Sequence, residues 1–139
     1  MNMPTSLNTS DRSATGKSLR VLVADDNLAN QRILTGILAI LGHTGIVVSD
    51  GAEALKCLSK HTFDVVLMDV LMPNMNGLEA LAAIREQEQA SGGHLPVIMV
   101  TANTDRIDQF KYRQAGADGL VCKPIYIDKL RLEFERLFG

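Results

Sequence analysis

Five short apolar runs alternate with five stretches at helical spacing, and that alternation sharply limits what this chain can fold into. The most informative run lies between Val65 and Gly77. Val65, Val66, Leu67 and Met68 lead straight into Asp69, and Pro73 with an Asn/Gly cluster comes next, before a helical pattern opens at Leu78. Four consecutive apolar residues suit a strand buried on both faces. Pro73 and the cluster suit a loop. Asp69 is therefore expected at the carboxyl end of a strand, its carboxylate in solvent, where parallel sheets gather their ligands.

The other runs share the same plan. Leu19 to Ala24 predicts a first strand closing on Asp25-Asp26-Asn27. A helix comes after it, carrying Ile33, Leu34, Ile37, Leu38, Ile40 and Leu41 and ending at Gly42. Thr44 to Val48 predicts a second strand, and Gly51 to about Leu58 a second helix. After the helix of Leu78, Leu81, Ala82 and Ile84, Ser91-Gly92-Gly93 breaks the chain. Val97 to Val100 then predicts a fourth strand ending at Thr101. A weakly amphipathic helix near Asp105 to Gln114 holds Ile107 and Phe110, a fifth strand spans Leu120 to Cys122, and a last helix starts near Ile127. Strict alternation implies an α/β domain with a doubly wound parallel sheet, right-handed crossovers and helices on both faces. Its ligand site belongs where the strand order reverses.

The chain has 139 residues, enough for one domain with a single core. Residues 1–18 are polar and aperiodic and predict a flexible tail or linker, with the domain over residues 19–139. No output domain is expected after Gly139. Gly16-Lys17-Ser18 does not complete a phosphate-binding loop, because that motif needs glycine where Asp11 stands. A formal charge of −2 with no basic run argues against nucleic acid. No apolar stretch approaches the roughly 18 residues of a membrane helix, so a cytoplasmic protein without direct membrane contact is expected. Cys57 and Cys122 form no Cys-x-x-Cys pair and predict small buried hydrophobes in a reducing compartment.

The chemistry gathers at the carboxyl ends of the strands. Four of the five expected strands present a polar group at the same sheet edge: Asp25 and Asp26, Asp69, Thr101, and Lys123. Each has a bland explanation by itself. Asp25, Asp26, Asn27 or Thr101 could cap a helix, Asp69 could be a solvated acid, and Lys123 could pair with any of them. Together they describe a working site. Three carboxylates within about 5 Å repel by roughly 3 kcal/mol per pair at an effective dielectric near 20, and one lysine relieves only part of this. The pocket should attract a divalent cation, and oxygen-only ligands suit Mg²⁺. With the cation present, a carboxylate oxygen of Asp69 can attack a phosphoryl group. Lys123 would hold one phosphoryl oxygen and the Thr101 hydroxyl could donate to another.

The ordered fragments Asp25-Asp26-Asn27-x-x-Asn30-Gln31, Met68-Asp69-x-x-Met72-Pro73, Thr101-Ala102-Asn103 and Lys123-Pro124-Ile125 resemble the receiver domain of two-component response regulators. They look most like receivers fused to bacterial hybrid sensor histidine kinases. The resemblance covers about Leu19 to Gly139. It implies a flavodoxin-like receiver fold, a five-stranded parallel sheet in the order 2-1-3-4-5 with five helices. It also implies a phosphoacceptor signalling domain, not an enzyme acting on an external substrate, that assists its own phosphorylation and slow autodephosphorylation. Asp69 would accept the phosphoryl group from a phosphohistidine. Asp26 and Asp69 would bind Mg²⁺ directly, Asp25 through water, and Leu71 through its backbone carbonyl. Thr101 would sense the phosphoryl group and Lys123 contact it, and Lys123-Pro124 is expected to be cis. Leu71 and Asn103 would flank the path of the hydrolytic water. The implied partners are a histidine kinase or histidine phosphotransfer domain and a regulated downstream protein. The domain would be cytoplasmic or the cytosolic part of a membrane-bound hybrid kinase.

One position departs from that pattern. Leu120 stands where many receivers place Tyr or Phe, so coupling from Thr101 cannot use a swinging ring in the usual way. The first helix spreads its apolar side chains over an arc of about 160°, wider than the roughly 100° a core stripe needs. The helix is either wedged deeply between its neighbours or offers one edge to a partner helix. In the latter case substitution at Leu38 should slow phosphotransfer. Leu132 lies off the core stripe of the last helix. Among rival functions, a phosphohydrolase with an aspartate nucleophile would need an acid at position 71, where this chain has Leu71. A flavodoxin-like cofactor carrier would need a Ser/Thr/Gly-rich loop after the first strand. A receiver-like interaction module that is never phosphorylated would have no need of the full acidic set.

Overall fold

The computed structural model describes residues 17–103 and 105–139. All of the tail expected over residues 1–18 except its last two residues lies outside that range. Strands β1 (Arg20–Ala24), β2 (Thr44–Val48), β3 (Val65–Asp69), β4 (Val97–Thr101) and β5 (Gly119–Cys122) alternate with helices α1 (Leu28–Ile40), α2 (Gly51–Lys60), α3 (Gly77–Ser91), α4 (Arg106–Gln114) and α5 (Ile127–Phe138). The strands form one sheet in the order β2-β1-β3-β4-β5, parallel at every pairing. This is the doubly wound arrangement expected. Among the described residues no helix is long and apolar enough to cross a membrane.

Side chains on a strand point alternately to its two faces, and this alternation divides the core in two. Val21, Val23, Leu67, Ile98, Val100 and Val121 face α1 and α5, packing on Leu34, Leu38, Leu130 and Phe134. Leu22, Val66, Met68, Val97 and Met99 face the other three helices, packing on Ala54, Leu81, Ile84 and Tyr112. Both faces of β3 and β4 are covered, which is why their sequences are unbroken apolar runs. Caps set the helix starts. Asn27 accepts the Asn30 N–H at 2.9 Å, and Asn76 and Glu79 form a reciprocal capping box. At the end of α1, Gly42 takes φ 86°, a conformation glycine adopts without steric cost.

Several expectations change. Strand β3 extends one residue further than its apolar run and includes Asp69. The α1 arc is partly a core stripe and partly a free edge. Leu38 is fully buried because it lies over Gly45 of β2, whose missing side chain leaves it room. Ile33 and Ile40, at the other end of the arc, are 48% and 68% exposed. The exposed apolar edge of α1 therefore runs through Ile33 and Ile40 and not Leu38, where a docking edge was expected. On α4, Ile107 and Phe110 face outward and Tyr112 carries the core contact. Cys57 and Cys122 are free thiols but only half-buried. Leu132 is exposed, as its position off the stripe implies.

Candidate functional site

Strands β1 and β3 are neighbours, yet β1 leads to β2 on one side of it while β3 leads away on the other. Connections diverging from adjacent strands leave a crevice above their carboxyl ends. A cleft of about 600 Å³ opens there, lined by Asp26, Asn30, Asp69, Leu71, Thr101, Asn103, Tyr112 and Lys123 among others. Asp25 lies just beneath it, 1% exposed.

Because Asn27 caps α1, neither Asp25 nor Asp26 has to. Asp25 is fixed by its backbone and its neighbours. Its N–H donates to the Val48 carbonyl at 3.1 Å, its carbonyl accepts from Gln31 Nε2 at 2.5 Å, and its Oδ1 accepts from the Asn27 N–H at 2.9 Å. Its Oδ2 is buried with no hydrogen-bond partner among the described residues. One carboxylate oxygen from each of Asp25, Asp26 and Asp69 lies within 4.8 Å of the others. Lys123 Nζ reaches in from the end of β5, 3.2 Å from Asp69 Oδ2 and 3.7 Å from Asp25 Oδ2. The Lys123-Pro124 bond is cis, as the resemblance implied.

Asp69 is not a solvated acid. Its residue is 5% exposed, because β3 continues through it: Asp69 stands opposite Val100, and the Val70 N–H donates to the Val100 carbonyl at 3.1 Å. Burial, then the charge of Asp25, pushes the Asp69 carboxyl above the usual range, while the charge and hydrogen bond of Lys123 and the Leu71 N–H pull it back. Three carboxylates facing one ammonium leave the cluster short of positive charge. An orphaned, buried carboxylate oxygen within an all-oxygen set fits a hard divalent cation.

At the end of β4, Thr101 Oγ1 accepts from the Asn103 N–H at 3.0 Å. The Asn103 side chain accepts from the Asp105 N–H at 2.8 Å and donates to Asp108 in the first turn of α4. Leu71 projects from the cleft rim, 78% exposed. The structure thus brings together Asp25, Asp26, Asp69, Leu71, Thr101 and Lys123. Sequence reasoning missed Tyr112, which lines the cleft from α4. On α4 the exposed Ile107 and Phe110 carry the stronger apolar signal.

Comparison with known proteins places this geometry in context. Residues 21–135 match the family described as "Response regulator receiver domain". The hybrid signal transduction histidine kinase I of Dictyostelium discoideum is 42% identical over 111 residues, which is 76% of this chain but 6% of that protein. The chain thus spans only a small part of this kinase's length. The chemotaxis protein CheY of Pseudomonas aeruginosa is 36% identical over 121 residues, covering 86% of this chain and 96% of that one. Among solved structures, the receiver domain of sensor histidine kinase PA1611 from Pseudomonas aeruginosa PAO1, with magnesium coordinated in its active-site cleft, superposes with a TM-score of 0.78. The two are 30% identical, over 88% of this chain and 99% of that one.

Proposed function

The chain belongs to the response regulator receiver domain family, and on that premise we propose that it takes a phosphoryl group from a phosphohistidine onto Asp69 and so switches its protein contacts. The observation that carries this reading is the Asp69 carboxylate at the cleft floor, bonded to Lys123 and crowded by Asp25 and Asp26. A carboxylate oxygen of Asp69 attacks phosphorus. The P–N bond breaks, its electron pair leaves with the imidazole nitrogen, and an acyl phosphate remains. Lys123 balances charge on one phosphoryl oxygen, and the Thr101 hydroxyl donates to another. Water attacking phosphorus later returns the carboxylate and inorganic phosphate, past Leu71 and Asn103 on the cleft rim.

Mg²⁺ fits the acidic set; Asp26, Asp69 and the Leu71 carbonyl would hold it, and Asp25 would assist through water. When bound, it would neutralise charge on the nucleophile and the incoming group. With Leu120 on β5, the signal leaves through β4 and α4. A Thr101 hydroxyl drawn toward a phosphoryl oxygen gives up the Asn103 N–H, and Asn103 is tied to Asp105 and Asp108 at the start of α4. The donor is a cytosolic histidine kinase or histidine phosphotransfer domain, docked on the exposed edge of α1 that carries Ile33 and Ile40. Labelling with acetyl phosphate, with and without Mg²⁺, tests the reading. The parent should label only with Mg²⁺, and the Asp69→Asn variant not at all. An unlabelled parent whose partner affinity matches that of the variant would instead indicate a module that works by binding alone.

A further inference from the structure

Four strands bring a group into the cleft, and β2 brings none. Its carboxyl end nevertheless reaches the site indirectly. Asp50, two residues after β2, caps α2 by accepting the Glu53 N–H on Oδ1 at 2.8 Å. Its second oxygen, Oδ2, turns away from the helix and accepts from Asn74 Nδ2 at 3.0 Å. Asn74 sits in the loop between β3 and α3, at φ 66°. Next to this contact, the Gly51 N–H donates to the Met75 carbonyl at 2.9 Å. A Cβ on Gly51 would lie 2.7 Å from that oxygen, so the start of α2 and the loop are pressed together.

This loop matters because of what it carries. It starts at Asp69, returns at Gly77, and is closed at its base by the Gly77 N–H donating to the Val70 carbonyl at 2.9 Å. Leu71, between base and tip, lines the cleft beside Asp69. A peptide held at both ends points its carbonyl in one direction, and one free at its tip does not. We propose that Asp50 and Asn74 are positioning residues for the cation, their hydrogen bond fixing the loop that presents the Leu71 carbonyl to it. The inference rests on the Mg²⁺ reading above and names the residues that hold one of its ligands in place. Asparagine suits the task because it tolerates a left-handed backbone and also supplies an amide donor. Outer contacts that orient metal ligands commonly change affinity by one to two orders of magnitude.

The test uses the full chain and Mg²⁺ alone, with binding measured by calorimetry and by the backbone amide shift of Leu71. Asn74→Gly keeps the left-handed backbone and the net charge but removes the amide. Asn74→Asp leaves Asp50 and its cap on α2 unchanged but turns a carboxylate toward a carboxylate, a mismatch that no rotation of either side chain relieves. The paired exchange of Asp50→Asn with Asn74→Asp reverses donor and acceptor, restoring both the bond and the charge. Each single variant should weaken Mg²⁺ binding about tenfold, and the pair should recover it, while the melting temperature in EDTA tracks neither change. Equal affinity in Asn74→Gly and parent would overturn the proposal. So would a loss that tracks melting temperature and is not recovered by the pair. A parent that binds no Mg²⁺ would overturn the cation reading itself, an outcome distinct from the other two.

Discussion

Replacing Asp69 with asparagine should stabilise the protein when no cation is present and stop the cation from stabilising it. Oxygens of Asp25 and Asp69 within 4.8 Å repel by about 3 kcal/mol at an effective dielectric of 20. Asp26 adds less because it is exposed and screened. Lys123 at 3.2 Å returns about 5 kcal/mol on the same scale, but burying the carboxylate costs several more. The Asp69 carboxyl is pushed above its usual range, so burial and repulsion outweigh the lysine. An isosteric amide removes the repulsion and the burial cost of a charge while still accepting from Lys123. The net gain should be about 1–2 kcal/mol, or about 4–8 °C in melting temperature for a domain of this size. A cation at a hundredfold its dissociation constant then stabilises the parent by about 2.7 kcal/mol and the variant by much less, so the order of the two melting curves should invert. The gap in EDTA also has a definite pH dependence. A carboxyl with a raised folded-state value stabilises the fold only while protonated. The parent's deficit is therefore full at neutral pH, shrinks as pH falls through the folded-state value, and vanishes below the unfolded value of about 3.9. Thermal melts in EDTA and in millimolar Mg²⁺ from about pH 3.5 to 7.5 measure all three effects. A variant less stable than the parent in EDTA, or stabilised equally by Mg²⁺, would refute the account of the charge cluster.

Three other substitutions probe other parts of the molecule. Ile40→Asp, on the exposed edge of α1, should slow transfer from a histidine phosphotransfer domain about tenfold and leave acetyl phosphate labelling unchanged, as parallel time courses would show. His43 is buried, accepts the Leu19 N–H on Nδ1 at 3.0 Å and packs edge-on against Phe134. Burial holds it below the usual histidine range, against a weaker opposing pull from Asp64. The unfolded chain therefore takes up a proton first, and stability should fall as pH drops below about 6.5; in His43→Asn, which keeps an acceptor for Leu19, denaturant melts should show a flatter decline. Gly77→Ala should cost about 2–3 kcal/mol in chemical denaturation, because its Cβ would collide with the Asp69 carbonyl oxygen.

The fold was legible where local pattern and tertiary environment agree. Thr44–Val48 appears as expected to the residue. The acids and the lysine could be found because each ends an apolar run, and a parallel sheet puts all such ends on one rim. What could not be read depends on contacts between distant segments. The α1 arc is continuous in sequence, and only Gly45 opposite Leu38 decides which end goes under. The burial of Asp69 stems from its place opposite Val100. Asp50 and Asn74, 24 residues apart, each look like ordinary capping or turn residues until their side chains meet. Tyr112 is hidden by the more apolar residues exposed on its own helix.

The close approach of Gly77 to the Asp69 carbonyl has a mechanical consequence. With no side chain between them, the first turn of α3 rests directly on the backbone of the proposed phosphoacceptor. A flexible methylene chain at that point would act as a cushion and absorb small displacements. Here the two main chains are in hard contact, so any backward movement of residue 69 must be taken up by α3 as a rigid lever.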